Sequence, residues 1–265
     1  MRVLIVGAGA IGSLLGHRLA TAGHQVTLVG RPPYAEAVQR RGLGLEVRGE
    51  TRWVRDLRAV INVSTVAEEP FDLLILTVKA YDTATAARQI APLVRPGLPI
   101  LVVQNGVGGE EIVMETLPDA EVLSAVITLS VEVMEPGWVR LATSGGGLTF
   151  APTQAGQGIE RFANAFAEAG FRIALRPDHQ ALKWSKLLLN ILGNALPAIL
   201  DLPPDVVFAD RRLFALERAA FREAVAVMRG LGQRPVSLVG YPVPLFAWGI
   251  CSLPGFILQP IFRRF

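Results

Sequence analysis

Between residue 3 and about residue 175, apolar positions fall into short unbroken runs separated by stretches with a helical period. Val3–Val6, Gln25–Val29, Asp72–Ala80, Pro99–Val103, Glu121–Glu132 and Phe171–Leu175 read as strands; Ile11–Ala22, Tyr81–Leu93 and a segment from about Gly158 to Ala169 read as helices. Residues 41 to 62 alternate polar and apolar and predict short strands, while Pro136-Gly137 and Gly145-Gly146-Gly147 predict a hairpin-like pair at the sheet's edge. Strands alternating with helices predict an α/β fold, a mostly parallel sheet covered on both faces. From Asp178 onward the period is helical throughout, most clearly over Arg211–Arg229. The expected organisation is an α/β domain over residues 1–176 and an all-helical domain over 177–265, divided near Arg176-Pro177.

Composition narrows the function classes. A chain of 265 residues that is 51% hydrophobic can bury a full core. Its net charge of +3 is spread along the sequence, with no Lys/Arg stripe interleaved with aromatics, so nucleic-acid binding has no support. Cys251 is the only cysteine, which excludes an intrachain disulfide and fits a reducing cytoplasm. His17, His24 and His179 are too scattered to suggest a metal site. The N-terminus reads as a strand and a Gly-rich turn rather than a cleavable signal. Val236–Phe262 carries no charge, but prolines at 242, 244, 254 and 260 break it into pieces far shorter than the roughly 20 apolar residues of a membrane span. This tail is expected to pack on the helical domain or on a second copy of the chain, as in a homodimer.

The first strand runs into Gly7-Ala8-Gly9-Ala10-Ile11-Gly12, which opens a helix. In that strand–turn–helix context the three glycines form a dinucleotide fingerprint: Gly7 for a tight turn, Gly9 for approach of the pyrophosphate, Gly12 for packing of helix on strand. The second strand ends in Leu28-Val-Gly-Arg-Pro32, with no Asp or Glu to accept from a ribose 2′-hydroxyl. Arg31 stands where a 2′-phosphate would be met, and NADP is favoured over NAD. Lys79 and Asn105 end two further strands, on the edge where ligands of open parallel sheets lie.

In Lys183-Trp-Ser-Lys-Leu-Leu-Leu-Asn-Ile-Leu-Gly-Asn194, the residues Lys186, Asn190 and Asn194 fall at i, i+4 and i+8. A continuous helix would present all three on one face, from an otherwise apolar surround. Hydride transfer to a ketone leaves an alkoxide that needs a proton, which a lysine can supply; Asn190 and Asn194 suit a substrate bearing hydroxyl and carboxylate groups. Lys183, one turn earlier, is the rival acid, and Glu223 reads as structural.

Gly-Ala-Gly-Ala-Ile-Gly12, Arg31, Thr77-Val-Lys-Ala80, Gln104-Asn-Gly106 and Trp184-Ser-Lys-Leu-x-x-Asn190 together resemble the ketopantoate reductase (2-dehydropantoate 2-reductase) family, from residue 1 to about 230. The resemblance implies a Rossmann domain followed by a helical domain like that of 6-phosphogluconate dehydrogenase, with substrate bound between them. It implies NADPH-dependent reduction of a 2-keto acid, with Lys186 as proton donor, Asn190 and Asn194 holding substrate, and Lys79 and Asn105 lining the cofactor and substrate cleft. Members typically continue to about 300 residues and carry a terminal serine and acid that nothing after Arg229 matches. The helical domain is therefore expected to be incomplete at its C-terminus. An NADP-binding sensor or interaction protein without catalysis is the alternative.

Overall fold

The computed structural model describes residues 1–143 and 145–262, so the last three positions of the expected helical domain lie outside the described residues. The chain divides into two compact units, Met1–His179 and Gln180–Phe265.

In chain order the first unit contains β1 (Arg2–Val6), α1 (Ala10–Thr21), β2 (Gln25–Val29), α2 (Pro32–Arg41), β3 (Leu43–Val47), β4 (Glu50–Val54), β5 (Arg58–Val60) and β6 (Leu73–Leu76). It continues with α3 (Thr83–Ile90), β7 (Pro99–Val103), α4 (Gly109–Thr116), β8 (Glu121–Ile127), β9 (Val131–Glu135), β10 (Trp138–Leu141), β11 (Leu148–Pro152), α5 (Glu160–Glu168) and β12 (Ile173–Leu175). Eight strands form one sheet in the order β12-β11-β8-β7-β6-β1-β2-β5. All its pairings are parallel except β8 with β11. Leu73–Leu76, Leu4, Ile5 and Ile100–Val102 are wholly buried, as strands covered on both faces must be. The strand order reverses at β1, whose neighbours are β2 and β6, and the crevice beyond its carboxyl end is the switch point at which such sheets bind ligands.

The expected edge hairpin is corrected. β9 and β10 do pair antiparallel, but they join β3 and β4 in a separate four-stranded sheet, β4-β3-β10-β9. The single strand expected over Glu121–Glu132 is likewise two. The Thr128 N–H donates to Gly147 O at 2.9 Å, and a Cβ on Gly146 would stand 2.3 Å from Thr128 O. This close crossing ends β8 at Ile127 and sends the chain to the second sheet. Helix α1 packs on both sheets. That explains why it buries Ser13, Gly16 and His17 along with its leucines, rather than one apolar stripe. His17 Nε2 meets Arg52 O of β4 at 3.0 Å, and burial lowers the His17 pKa, disfavouring the charged ring. Helix α2 begins at Pro32-Pro33, a residue pair suited to a first turn, but it has too few apolar positions to announce itself by period.

The second unit contains α6 (His179–Ile191, beginning at the boundary), α7 (Ala195–Leu200), α8 (Pro204–Ala209), α9 (Arg211–Gly230), α10 (Val243–Ser252) and α11 (Gly255–Phe262). Asp210 caps α9, accepting from the Arg212 and Leu213 N–H groups at 2.7 and 3.0 Å. The charge-free tail packs within its own unit: Leu258 is buried with Phe208 and Phe214, and Phe262 lies against them. Arg218 of α9 donates to Ile250 O at 2.8 Å and to Leu253 O, meeting the carbonyls that α10 leaves unpaired at its end. Among the described residues no helix is long and apolar enough to cross a membrane.

Candidate active site

The glycine turn closes β1 onto α1. Gly7 has φ +108°, and a Cβ there would lie 2.7 Å from the Val78 backbone nitrogen, so the position needs glycine on two counts. The Gly7 and Ala8 N–H groups donate to Val29 O at 3.2 and 3.0 Å, which ties the turn to the end of β2. A Cβ on Gly12 would meet Gly7 O at 2.3 Å and Thr77 Oγ1 at 2.8 Å. The tight packing at Gly12 is thus against the turn itself and the segment after β6, whereas packing of α1 on β2 falls to Gly16, where a Cβ would lie 3.0 Å from Leu28 Cδ2. Gly9 alone of these faces open space. It caps α1, which has no side-chain cap and no acid in its first turn, so its N–H groups and dipole are left to an anion. These features fit a dinucleotide's pyrophosphate.

Arg31 is exposed at the cap of α2, two residues after the Val29 carbonyl that holds the turn. Gly30 makes this junction: a Cβ would come 2.8 Å from both Ala8 Cβ and Tyr34 Cδ1. Tyr34 is buried beneath it and accepts from Ser13 Oγ at 3.0 Å; burial pushes its pKa up to about 12, partly offset by that hydrogen bond. Sequence reasoning assigned no role to Gly30, Tyr34 or Thr77, whose hydroxyl donates to Gly7 O at 2.7 Å.

Lys79 and Asn105 are exposed at the carboxyl edge of the same sheet, though neither ends its strand. β6 stops at Leu76 and Lys79 caps the short 3-10 turn Ala80–Asp82; Asn105 follows the buried Gln104. The structure brings their loops together, since Gln104 Nε2 donates to Val78 O at 2.7 Å.

Lys186, Asn190 and Asn194 belong to the second unit. Lys186 and Asn190 are half-buried on α6, one turn apart. Burial lowers the Lys186 pKa, disfavouring its charged form. Lys183 is more deeply buried than Lys186. The expected single face does not extend to Asn194. Helix α6 ends at Ile191, the chain turns through Gly193 at φ +70°, and Asn194 caps α7. Its Nδ2 donates to Asn190 O at 2.6 Å, satisfying a carbonyl near the end of α6. Asn194 stays beside Asn190 through this bond rather than by helical register.

Two family models cover most of the chain: ketopantoate reductase PanE/ApbA over residues 3–154, and ketopantoate reductase PanE/ApbA C terminal over residues 178–242. The chain is 31% identical to the 2-dehydropantoate 2-reductase of Pyrococcus horikoshii over 236 residues, 87% of this chain and 75% of that one. It is 33% identical to that of Halobacterium salinarum over 247 residues, 88% of this chain and 80% of that one. Among solved structures, the PanE/ApbA family ketopantoate reductase from Ralstonia eutropha superposes with a TM-score of 0.82 at 33% identity, covering 95% of this chain and 80% of that chain. A ternary structure of D-mandelate dehydrogenase matches in fold, with a TM-score of 0.83 at 22% identity, over 95% of this chain and 79% of that one. The resemblance read from the motifs therefore holds along both units, and the chain belongs to the ketopantoate reductase PanE/ApbA family.

Proposed function

We propose that the protein reduces 2-dehydropantoate to pantoate with NADPH. The observation that carries the reading is the glycine turn, clear of side chains at Gly9 and joined through Val29 and Gly30 to Arg31, in a chain of this family. When bound, NADPH supplies the hydride. Gly7 to Gly12 and the first turn of α1 would hold its pyrophosphate, Arg31 would bind the 2′-phosphate, and Lys79 and Asn105 would line the adjoining edge.

Lys186 gives a proton to the ketone oxygen as negative charge develops there. A lysine whose pKa is lowered by burial is better matched to proton transfer near neutral pH than an exposed one. Asn190 binds the substrate's oxygens by its side-chain amide. Asn194, with Nδ2 engaged by Asn190 O, offers Oδ1 and its second amide hydrogen. With the hydride that NADPH would supply, the proton from Lys186 would complete the hydroxy acid, and the lysine would be reprotonated from solvent.

The deciding experiment follows NADPH oxidation at 340 nm across a panel of 2-keto acids. Turnover greatest with 2-dehydropantoate is expected. NADPH binding without turnover of any keto acid would leave a cofactor-binding module without catalysis.

A further inference from the structure

We infer that Gln104 is a positioning residue that fixes the Lys79 and Asn105 loops relative to each other at the carboxyl edge of the sheet. β6 and β7 are parallel neighbours, so the segments leaving them emerge side by side. Gln104, the first residue after β7, is 7% exposed and turns its amide across to the other segment, with Nε2 2.7 Å from Val78 O and 3.0 Å from Thr83 Oγ1. Thr83 is fully buried and donates in turn to Ala80 O at 2.8 Å, which closes the 3-10 turn that Lys79 caps. Lys79 follows Val78 and Asn105 follows Gln104, so one hydrogen bond between their predecessors sets the spacing of the two functional side chains.

Two further features show that the site is built around this amide. A Cβ on Gly109 would lie 2.7 Å from Gln104 Oε1, so any larger residue at the start of α4 would push the carboxamide from its place. Thr77 Oγ1 donates to Gly7 O, which continues the seam from the Gln104 partner segment to the glycine turn. Chemistry also settles the amide's orientation: Val78 O only accepts, so the NH2 must face it. The seam runs from Gly7 through residues 77–78 to Gln104, and it connects the fingerprint to the far side of the edge.

The role in turnover rests on the proposed reductase function. In Gln104→Met, which keeps volume but removes the donor, kcat/KM for the keto acid is expected to fall roughly 10- to 100-fold, the scale of a small misplacement of binding groups. Gln104→Glu supplies the conservative rescue. Its carboxylate repels Val78 O at neutral pH, but its protonated form can donate to it, so its kcat/KM relative to wild type should recover as pH falls; Gln104→Met should show no such recovery. A Gln104→Met enzyme with wild-type kcat/KM, or a Gln104→Glu loss that is independent of pH, overturns the inference. If the wild-type protein reduces no 2-keto acid, the proposed function fails and the seam is read by backbone hydrogen exchange. Joint loss of protection over residues 78–83 and 105–109 in Gln104→Met then supports it, and loss in neither or only one segment overturns it.

Discussion

The Gly193 N–H donates to Glu217 Oε2 at 3.1 Å, joining the turn after α6 to the middle of α9. Glu217 is 3% exposed and its other oxygen, Oε1, has no hydrogen-bond partner among the described residues. Burial raises its pKa, with the Gly193 and Leu196 N–H groups pulling the other way. Below the ordinary carboxyl range both folded and unfolded states are protonated and the group costs nothing. As pH rises through the raised folded value, stability is lost, because the unfolded chain ionises more readily. Glu217→Gln keeps an acceptor for Gly193 and removes the charge. Its melting temperature relative to wild type is therefore expected to increase from about pH 4 to about pH 8. Thermal melts with parallel pH dependence in the two proteins would contradict this.

Gly12→Ala and Gly9→Ala should separate fold from ligand. A methyl at Gly12 meets the Gly7 carbonyl at 2.3 Å, so the turn must shift and the melting temperature must drop. A methyl at Gly9 meets nothing in the protein and enters the open space assigned to the pyrophosphate. Gly9→Ala is expected to melt like wild type and bind NADPH about tenfold or more weakly, a loss of about 1.4 kcal/mol. Cofactor titration by fluorescence, paired with thermal melts, reads both variants; a Gly9→Ala protein with unchanged affinity would remove Gly9 from the site.

Arg31→Ala should erase the preference for NADPH over NADH. The basis is an exposed guanidinium at the cap of α2, with no carboxylate at the end of β2 to take a ribose hydroxyl. A charge-assisted hydrogen bond of about 1.5–3 kcal/mol corresponds to a preference of at least tenfold. Equal wild-type affinities for the two cofactors would sink the assignment.

What the sequence made legible follows from which forces act locally. β1, β2 and β7 are short apolar runs bounded by turn residues, and their ends were readable to within a residue. The second sheet was legible only in pieces, because its two hairpins are local but the pairing that joins them, β3 with β10, brings Gly44 to Trp138 from far apart in the chain, and polar side chains interrupt all four strands. Period and composition carry no record of such pairing. The same division holds at the site. Gly7, Gly9, Arg31 and Lys186 announce themselves by residue type and context. The break at Gly193 is not legible from residue type, since only its positive φ and the hydrogen bond to the buried Glu217 reveal the turn. Gln104 resembled a flank of Asn105 because its partners, Val78 and Thr83, are more than 20 residues distant.

Arg218 anchors the tail. Its guanidinium donates to Ile250 O and Leu253 O, placing a cation at the carboxyl end of α10, where the helix dipole favours it. Arg218→Met retains the stem and removes the donors, and should cost about 1–3 kcal/mol in stability through carbonyls left unpaired. Urea denaturation should show a lower midpoint, with protection against hydrogen exchange lost first over residues 250–258. A variant as stable as wild type would show that solvent serves those carbonyls equally well.

Lys186 should oppose activity to stability. Its pKa is lowered by burial, so the folded state holds the proton less firmly than the unfolded chain, whose lysine titrates near 10.5. The charged form therefore costs stability at neutral pH, and this cost disappears as pH rises above the unfolded value, where both states are neutral. Lys186→Met is expected to melt at a higher temperature than wild type at about pH 7, with the gap narrowing towards about pH 10.5. The same substitution removes the proposed proton donor: kcat should fall by about 10²–10⁴-fold with NADPH affinity nearly unchanged. Wild-type kcat should in turn decline as pH rises through the lowered lysine pKa, because only the protonated amine can serve the ketone oxygen. A Lys186→Met protein that melts lower at neutral pH would show that the ammonium is stabilised by its surroundings. One that keeps normal turnover would transfer the acid's role to Lys183, the buried lysine one turn before it on α6.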